Sequence, residues 1–239
     1  MTILLTNDDG YTSEGIRILA EAVRAQGHDA WIFAPDEERS GQSHAMTLRH
    51  PLKLRKHGER EYSCSGTPAD CVILASHGVL PCKPDMVISG INRGPNLGTD
   101  LIYSGTAAAA RQASMIGLPG IALSLAEFKE PFRYQALAAT VAGRLDELVG
   151  LWHEDIFINI NAPNAEDHIR FEFKEGTPSR RVYKDVLKVF EGPDGHSYCF
   201  YTDGRVETIA QRGSDEDAVL QGYASITKVL VYPVAEAEA

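Results

Sequence analysis

Positive charge is in short supply in this chain. Lysine and arginine total 23 against 33 aspartates and glutamates, a formal net charge of -10. That balance argues against a general binder of nucleic-acid backbones, which needs a positive excess to release counterions, so no nucleic-acid partner is expected. A small phosphorylated ligand stays open, because a bound divalent cation inverts the field around it. Cysteine is scarce too. Cys64, Cys71, Cys82 and Cys199 form no CxxC pair and show no metal-ligand spacing. This speaks against a disulfide or redox role, and buried apolar thiols in a reducing compartment are expected. No apolar stretch approaches membrane-spanning length, and no basic segment with an apolar core opens the chain. A cytoplasmic protein without a membrane partner is the expectation. Internal repeats and low-complexity linkers are also lacking.

What is present suits one large domain, or a domain with an appendage. The 239 residues are 44% hydrophobic and 23% charged, enough for a sizeable core. Residues 2–6 read as a short buried strand. From Ser13 the period becomes helical, with Ile16, Leu19, Ala20 and Val23 on one face, Ser13 as a cap and Gly27 as a stop. Ala30 to Ala34 predicts a second strand. The pattern then predicts a helix over Pro68 to Leu80 and a strand over Met86 to Ser89. A helix over Thr106 to Ile116 and a strand over Gly120 to Ser124 follow. Last come a helix over Gln135 to Leu151 and a strand over Ile156 to Ile160. Such alternation predicts an α/β, Rossmann-like, mostly parallel doubly wound sheet.

After Pro163 the pattern changes. Strand-like stretches at 168–174, Arg181 to Val189 and Ser197 to Tyr201 flank a Gly-Pro-Asp-Gly turn at 192–195. They predict a β-hairpin protruding from the sheet. Ala224 to Val231 reads as a last strand, and the acid-alanine tail from Val234 is expected to fray. The expected division is a catalytic domain over 1–163 and an oligomerisation extension over 164–239.

Three polar loops should meet at one sheet edge, because ligands of open parallel sheets bind outside the carboxyl ends of the strands. They are Asn7-Asp8-Asp9-Gly10, Pro35 to Gly41, and Ser89 to Asn96. Asp8, Asp9, Ser40 and Asn92 would then offer two carboxylates, a hydroxyl and an amide oxygen. An all-oxygen set suits a hard cation, Mg²⁺ or Mn²⁺. Taken alone, Asp-Asp-Gly fits better a turn whose acids cap the following helix. Ser104-Gly105-Thr106 opens the alanine helix, where free backbone N–H groups and hydroxyls make a phosphate site, although helix capping accounts for the same residues. A cation site and an anion site facing one crevice favour phosphoryl chemistry. Arg39 is a neutralising group or a solvated one. His44 could approach the site but reads more readily as structural, and Gly66 to Asp70 starts a helix, as a cap or, in the sharper reading, as part of the pocket wall.

These motifs together resemble the SurE family, the stationary-phase survival proteins. The resemblance runs from "ILLTNDDG" through "APDEERSG", "GTPADCV" and "SGINRGPNLGTDLIYSGTAAAA" to "ININ" and "GYASIT", roughly residues 1–228. It implies a metal-dependent 5′(3′)-nucleotidase in which Asp8, Asp9, Ser40 and Asn92 ligate one divalent metal per subunit. Asn96 and the segment Ser104, Gly105 and Thr106 would contact the phosphate. It further implies a hairpin and carboxyl-terminal segment that exchange between subunits, giving a homodimer or homotetramer. Ala162 stands where the family usually has Val, and Lys228-Val229 where its ending reads Pro-Leu. The expected reaction is hydrolysis of a nucleoside 5′- or 3′-monophosphate by a metal-activated water, with Asp8 and Asp9 catalytic. A metal-dependent nucleotide sensor without turnover is the alternative. An aspartyl-phosphate mechanism fits poorly, because it calls for Asp-x-Asp and Gly10 occupies the second position.

Overall fold

In β1 (Thr2–Thr6) the side chains of Ile3 and Leu5 enter one apolar cluster and Leu4 enters another. Both faces of the strand are therefore buried, as the two-residue period requires of a strand covered by helices on each side. The computed structural model describes residues 1–81 and 83–233, so Cys82 and the tail expected to fray lie outside the described residues. The chain continues through α1 (Glu14–Ala25), β2 (Asp29–Pro35), β3 (Leu54–Gly58), β4 (Glu61–Cys64) and α2 (Pro68–Ser76). Next come β5 (Met86–Arg93), a 3₁₀ turn (Gly98–Ile102), α3 (Gly105–Met115) and β6 (Gly120–Leu125). After α4 (Gln135–Ala142), α5 (Leu145–Leu151), β7 (Ile156–Ala162) and β8 (Phe173–Glu175), the hairpin is formed by β9 (Arg180–Glu191) and β10 (Ser197–Ile209). A short α6 (Asp215–Leu220) leads into β11 (Ala224–Leu230).

The sheet has the order β3-β4-β2-β1-β5-β6-β7-β11-β8. From β4 to β7 all neighbours are parallel, so the mostly parallel α/β architecture is as expected. Two antiparallel joins complete it, β3 with β4 and β11 with β7. The chain runs outward from β1 to β2, then returns past β1 to β5. That reversal opens a crevice at the carboxyl ends of β1 and β5.

Several local expectations need correction. The helix expected over 135–151 is two helices, because Gly143 is a poor helix former and Arg144 leaves helical geometry there (φ -131°, ψ 24°). Helix α2 stops at Ser76 rather than Leu80, with Gly78 at a positive φ just beyond it. Ser13 makes no side-chain cap; its hydroxyl instead accepts from Asn7 Nδ2 at 2.6 Å. Strands β3 and β4 and helix α6 are additions, for the exposed sequence of β3 carries no apolar alternation. Cys64 and Cys71 are buried and free as expected, whereas Cys199 is exposed on the hairpin. The capping box of Thr67 and Asp70 is present. Among the described residues no helix is long and apolar enough to cross a membrane.

The root of the hairpin is pinned to the crevice. Buried Asp215 accepts the backbone N–H of Gly98 at 2.8 Å and of Ser179 at 2.9 Å. Gly98, at φ +49°, lies so close to Ser179 that an added Cβ would stand 1.6 Å from its carbonyl oxygen. Gly98→Ala must push the two segments apart. Overpacking of this kind costs about 2–3 kcal/mol, so the variant should melt several degrees lower, as differential scanning calorimetry would show. An unchanged melting temperature would mean that this contact is not maintained in solution.

Candidate functional site

The first loop is shaped by Asn7. Its amide nitrogen donates to Gly10 O at 2.9 Å and to the Ser13 hydroxyl, closing the turn that carries both acids. Two backbone bonds tie this turn to the loop after β2, Arg39 N to Asp8 O at 2.7 Å and Tyr11 N to Pro35 O at 2.9 Å. Arg39 itself faces Asp36 and Glu37 and donates to Ser65 O, so it braces its own loop. On the other side of β1, strand β5 advances three residues, Ser89 to Asn92, where β6 advances two. This bulge re-aims the end of β5. The Asn92 amide nitrogen donates to Gly94 O at 2.9 Å, and among the described residues no donor is bonded to its side-chain oxygen.

These loops enclose a cleft of about 260 Å³. Asp8, Ser40, Asn92, Asn96 and Ser104 all line it. Asp9 does not. It turns to an adjoining depression with Ser13, Glu38, Arg93 and Tyr134, where its carboxylate accepts the Arg93 backbone N–H at 3.2 Å. Gly105 borders Asp8 so closely that a Cβ there would lie 2.9 Å from Asp8 Cβ. The Thr106 hydroxyl is wholly buried and donates to Asp8 Oδ1 at 2.5 Å. Its side chain is thus committed to the acid, in contrast to the phosphate contact expected of it. Ser104 caps α3, its hydroxyl oxygen accepting from Ala107 N at 3.0 Å. His44 lies on Gln112 at 2.9 Å, a structural pairing.

Asn96 is held by residues that sequence reasoning passed over. Its N–H donates to Asn161 Oδ1, and its carbonyl accepts from the amides of Asn159 and Asn161. Its own amide nitrogen donates to Ser124. The two asparagines sit fully buried in β7, and polar residues inside a buried strand were the available signal. Asp100, Arg181 and Tyr183 also line the cleft. Buried Asp100 receives both the Arg181 guanidinium and the Tyr183 hydroxyl. No local pattern joins these residues, because Arg181 and Tyr183 reach the cleft only through docking of the hairpin.

Burial raises the Asp8 carboxyl above its ordinary range, against the opposing pull of the Thr106 hydroxyl and the N–H groups of Thr106 and Gly105. Burial and then the charge of Asp8 push Asp9 up to about 6. Two neighbouring acids thus resist ionisation together, and a divalent cation relieves both. Among the described residues no three His, Cys, Asp or Glu side chains converge as ligands. A cation in the cleft would draw on the Ser40 hydroxyl and the Asn92 amide oxygen as well as on Asp8, and would reach Asp9 only if its carboxylate turned in from the adjoining depression. This oxygen donor set fits Mg²⁺ or Mn²⁺.

A parallel sheet with an acid-lined cleft and a helix amino terminus at its switch point defines an α/β protein built to hold a charged ligand. The model of the family "Survival protein SurE" matches residues 3–185, and the chain belongs to that family. It is 43% identical over 233 residues to the 5′-nucleotidase SurE of Geotalea daltonii, covering 95% of this chain and 92% of that one. To the 5′-nucleotidase SurE of Treponema pallidum it is 48% identical over 176 residues, 71% of this chain and 94% of the relative. The crystal structure of the SurE protein from Aquifex aeolicus superposes with a TM-score of 0.82 at 34% identity, covering 98% and 95% of the two chains.

The raised acid predicts a pH-dependent stability. The folded pKa of Asp9, about 6, exceeds the ordinary aspartate value of 3.8. Its stabilising contribution is therefore present below pH 3.8 and lost as pH rises through 6. In cation-free protein at pH 7.5, Asp9→Asn should gain about 1–2 kcal/mol, and the gain should vanish towards pH 4. Urea melts at the two pH values read this directly. A gain of equal size at both would mean that Asp9 ionises freely.

Proposed function

We propose that this chain is a nucleotidase that releases phosphate from nucleoside 5′-monophosphates, and from the 3′ isomers, with water as the attacking group. The observation that carries this reading is Asp8, buried against the amino terminus of α3 in a cleft it shares with Ser40, Asn92 and Ser104. The relatives named 5′-nucleotidase SurE, matched along nearly the whole chain, support it. One divalent metal, Mg²⁺ or Mn²⁺, would be held by Asp8, Ser40 and Asn92 of the cleft together with Asp9, whose carboxylate would turn in from the adjoining depression. When bound, such an ion supplies positive charge to phosphate oxygens and lowers the pKa of water.

The chain's own groups do the rest. The Ser104 hydroxyl and Asn96 orient the phosphate oxygens at the positive end of α3, whereas the Gly105 and Thr106 N–H groups are taken up by Asp8. The Thr106 hydroxyl holds one oxygen of Asp8, so that the other is presented to the cleft. Asp8 or Asp9 orients the attacking water or accepts its proton. The reading places the protein in the cytoplasm, with catalysis in residues 1–163 and assembly in residues 164–239.

Assembly is a homodimer or homotetramer through the hairpin. Its strands expose Leu187, Val189, Phe190, Phe200 and Tyr201, the last 79% exposed, and such apolar patches mark interaction surfaces. Phe190 and Phe200 pack edge to face at 5.9 Å. Replacing both by Asp should convert the oligomer to a smaller species in sedimentation equilibrium. An unchanged mass would remove this face of the hairpin from the interface.

The activity is tested by phosphate release from a panel of 5′- and 3′-nucleoside monophosphates in EDTA, Mg²⁺ and Mn²⁺. Release should require the cation, and Asp8→Asn and Asp9→Asn should each lower it by roughly 10²–10³-fold with the circular dichroism unchanged. Near wild-type turnover in either variant would remove that acid from the metal site. Nucleotide binding without release from any substrate would assign the cleft to a sensor instead.

A further inference from the structure

The lining of the cleft is of two chemical kinds. Asp8, Ser40, Asn92 and Ser104 offer the oxygen groups that a phosphate and its cation would use. Beside them and the charged Asp100 and Arg181 stands a wall of aromatic and apolar side chains, Tyr103, Phe128, Tyr183 and Val206. Phosphate alone makes no use of such a wall. Tyr103 is 53% exposed and Phe128 70% exposed, so their surface is open to water. Tyr103 and Tyr183 meet edge to face, with ring centroids 5.8 Å apart and planes at 84°. In that arrangement each ring fixes the other and leaves a face free.

The geometry points to a seat for the nucleobase, formed by Tyr103, Tyr183 and Phe128 at the mouth of the phosphate cleft. This inference rests on the nucleotidase reading and says how the substrate is told from other phosphomonoesters. A planar heterocycle stacks on aromatic faces of this kind. Tyr183 is set in place by its hydroxyl, which donates to Asp100, and Asp100 is itself paired with Arg181. Arg181 is buried as well, so its guanidinium fixes Asp100 and, through Asp100, the Tyr183 ring. Tyr183 and Arg181 lie on β9 and Val206 on β10, so the root of the hairpin supplies this part of substrate recognition.

The test compares a nucleoside 5′-monophosphate with ribose 5-phosphate, which has the same reacting group and no base. In the wild-type protein the kcat/KM ratio should favour the nucleotide. Tyr103→Ala and Phe128→Ala, both truncations of exposed rings, should each lower that ratio about tenfold or more, the size of lost base stacking. An unchanged ratio overturns the seat, and an unchanged ratio together with an altered sedimentation mass assigns the rings to a subunit contact. If the wild-type protein releases phosphate from neither substrate, the nucleotidase reading fails, and calorimetric titration then decides the seat. Nucleotide affinity weakened by Tyr103→Ala, with inorganic phosphate affinity preserved, would uphold it, and equal weakening of both or no nucleotide binding would overturn it.

Discussion

The site depends on a carboxylate taken out of water at the end of the first strand. Asp8 is almost fully buried, beside an acidic neighbour. The fold offsets this cost with three groups, the Thr106 hydroxyl and the N–H groups of Gly105 and Thr106. Those groups belong to the first turn of α3, where unpaired donors and the helix dipole favour negative charge. The compensation is incomplete, since the carboxyl still sits above its ordinary range. The same feature brings the phosphate-type helix end and the cation-type acid into one cleft. Gly105 is part of the arrangement, because a side chain there would meet Asp8.

A second layer of buried polar groups keeps the cleft in shape. Asn159 and Asn161 grip the backbone of Asn96, so the loop after β5 is anchored on β7. Asp215 and Asp100 do the same for the hairpin root. One collects backbone N–H groups, and the other a guanidinium and a phenol. Buried pairs of this type add little net stability, because desolvation consumes much of their attraction. Their effect is positional: a long and otherwise exposed hairpin contributes defined side chains to the cleft wall.

Much of this was legible beforehand. The alternation of two- and 3.6-residue periods predicted the parallel sheet, and the polar loops after β1, β2 and β5 do meet at its switch point. Asp8, Ser40, Asn92 and Asn96, from the three strand-end loops, share one cleft with Ser104 at the start of α3. Other features were not legible. Asp9 adjoins Asp8 in sequence yet faces a separate depression, where its carboxylate accepts the Arg93 backbone N–H. The break at Gly143 and the short strands β3 and β4 escaped the periodicity because each is brief and lacks a regular apolar stripe.

Periodicity and residue chemistry determined the fold class, the position of the crevice and the oxygen character of its donors. These properties are encoded within a few residues, where a strand, a turn or a helix end forms its own local contacts. Tertiary structure decided how each polar group is used. Thr106 turned to Asp8 across 98 positions of sequence, and Arg181 reached Asp100 across 81. The burial that raises the two acids, and the aromatic wall that completes the cleft, arise only when such distant segments pack together. A carboxylate's charge depends on what excludes water from it, and that is a property of the assembled chain.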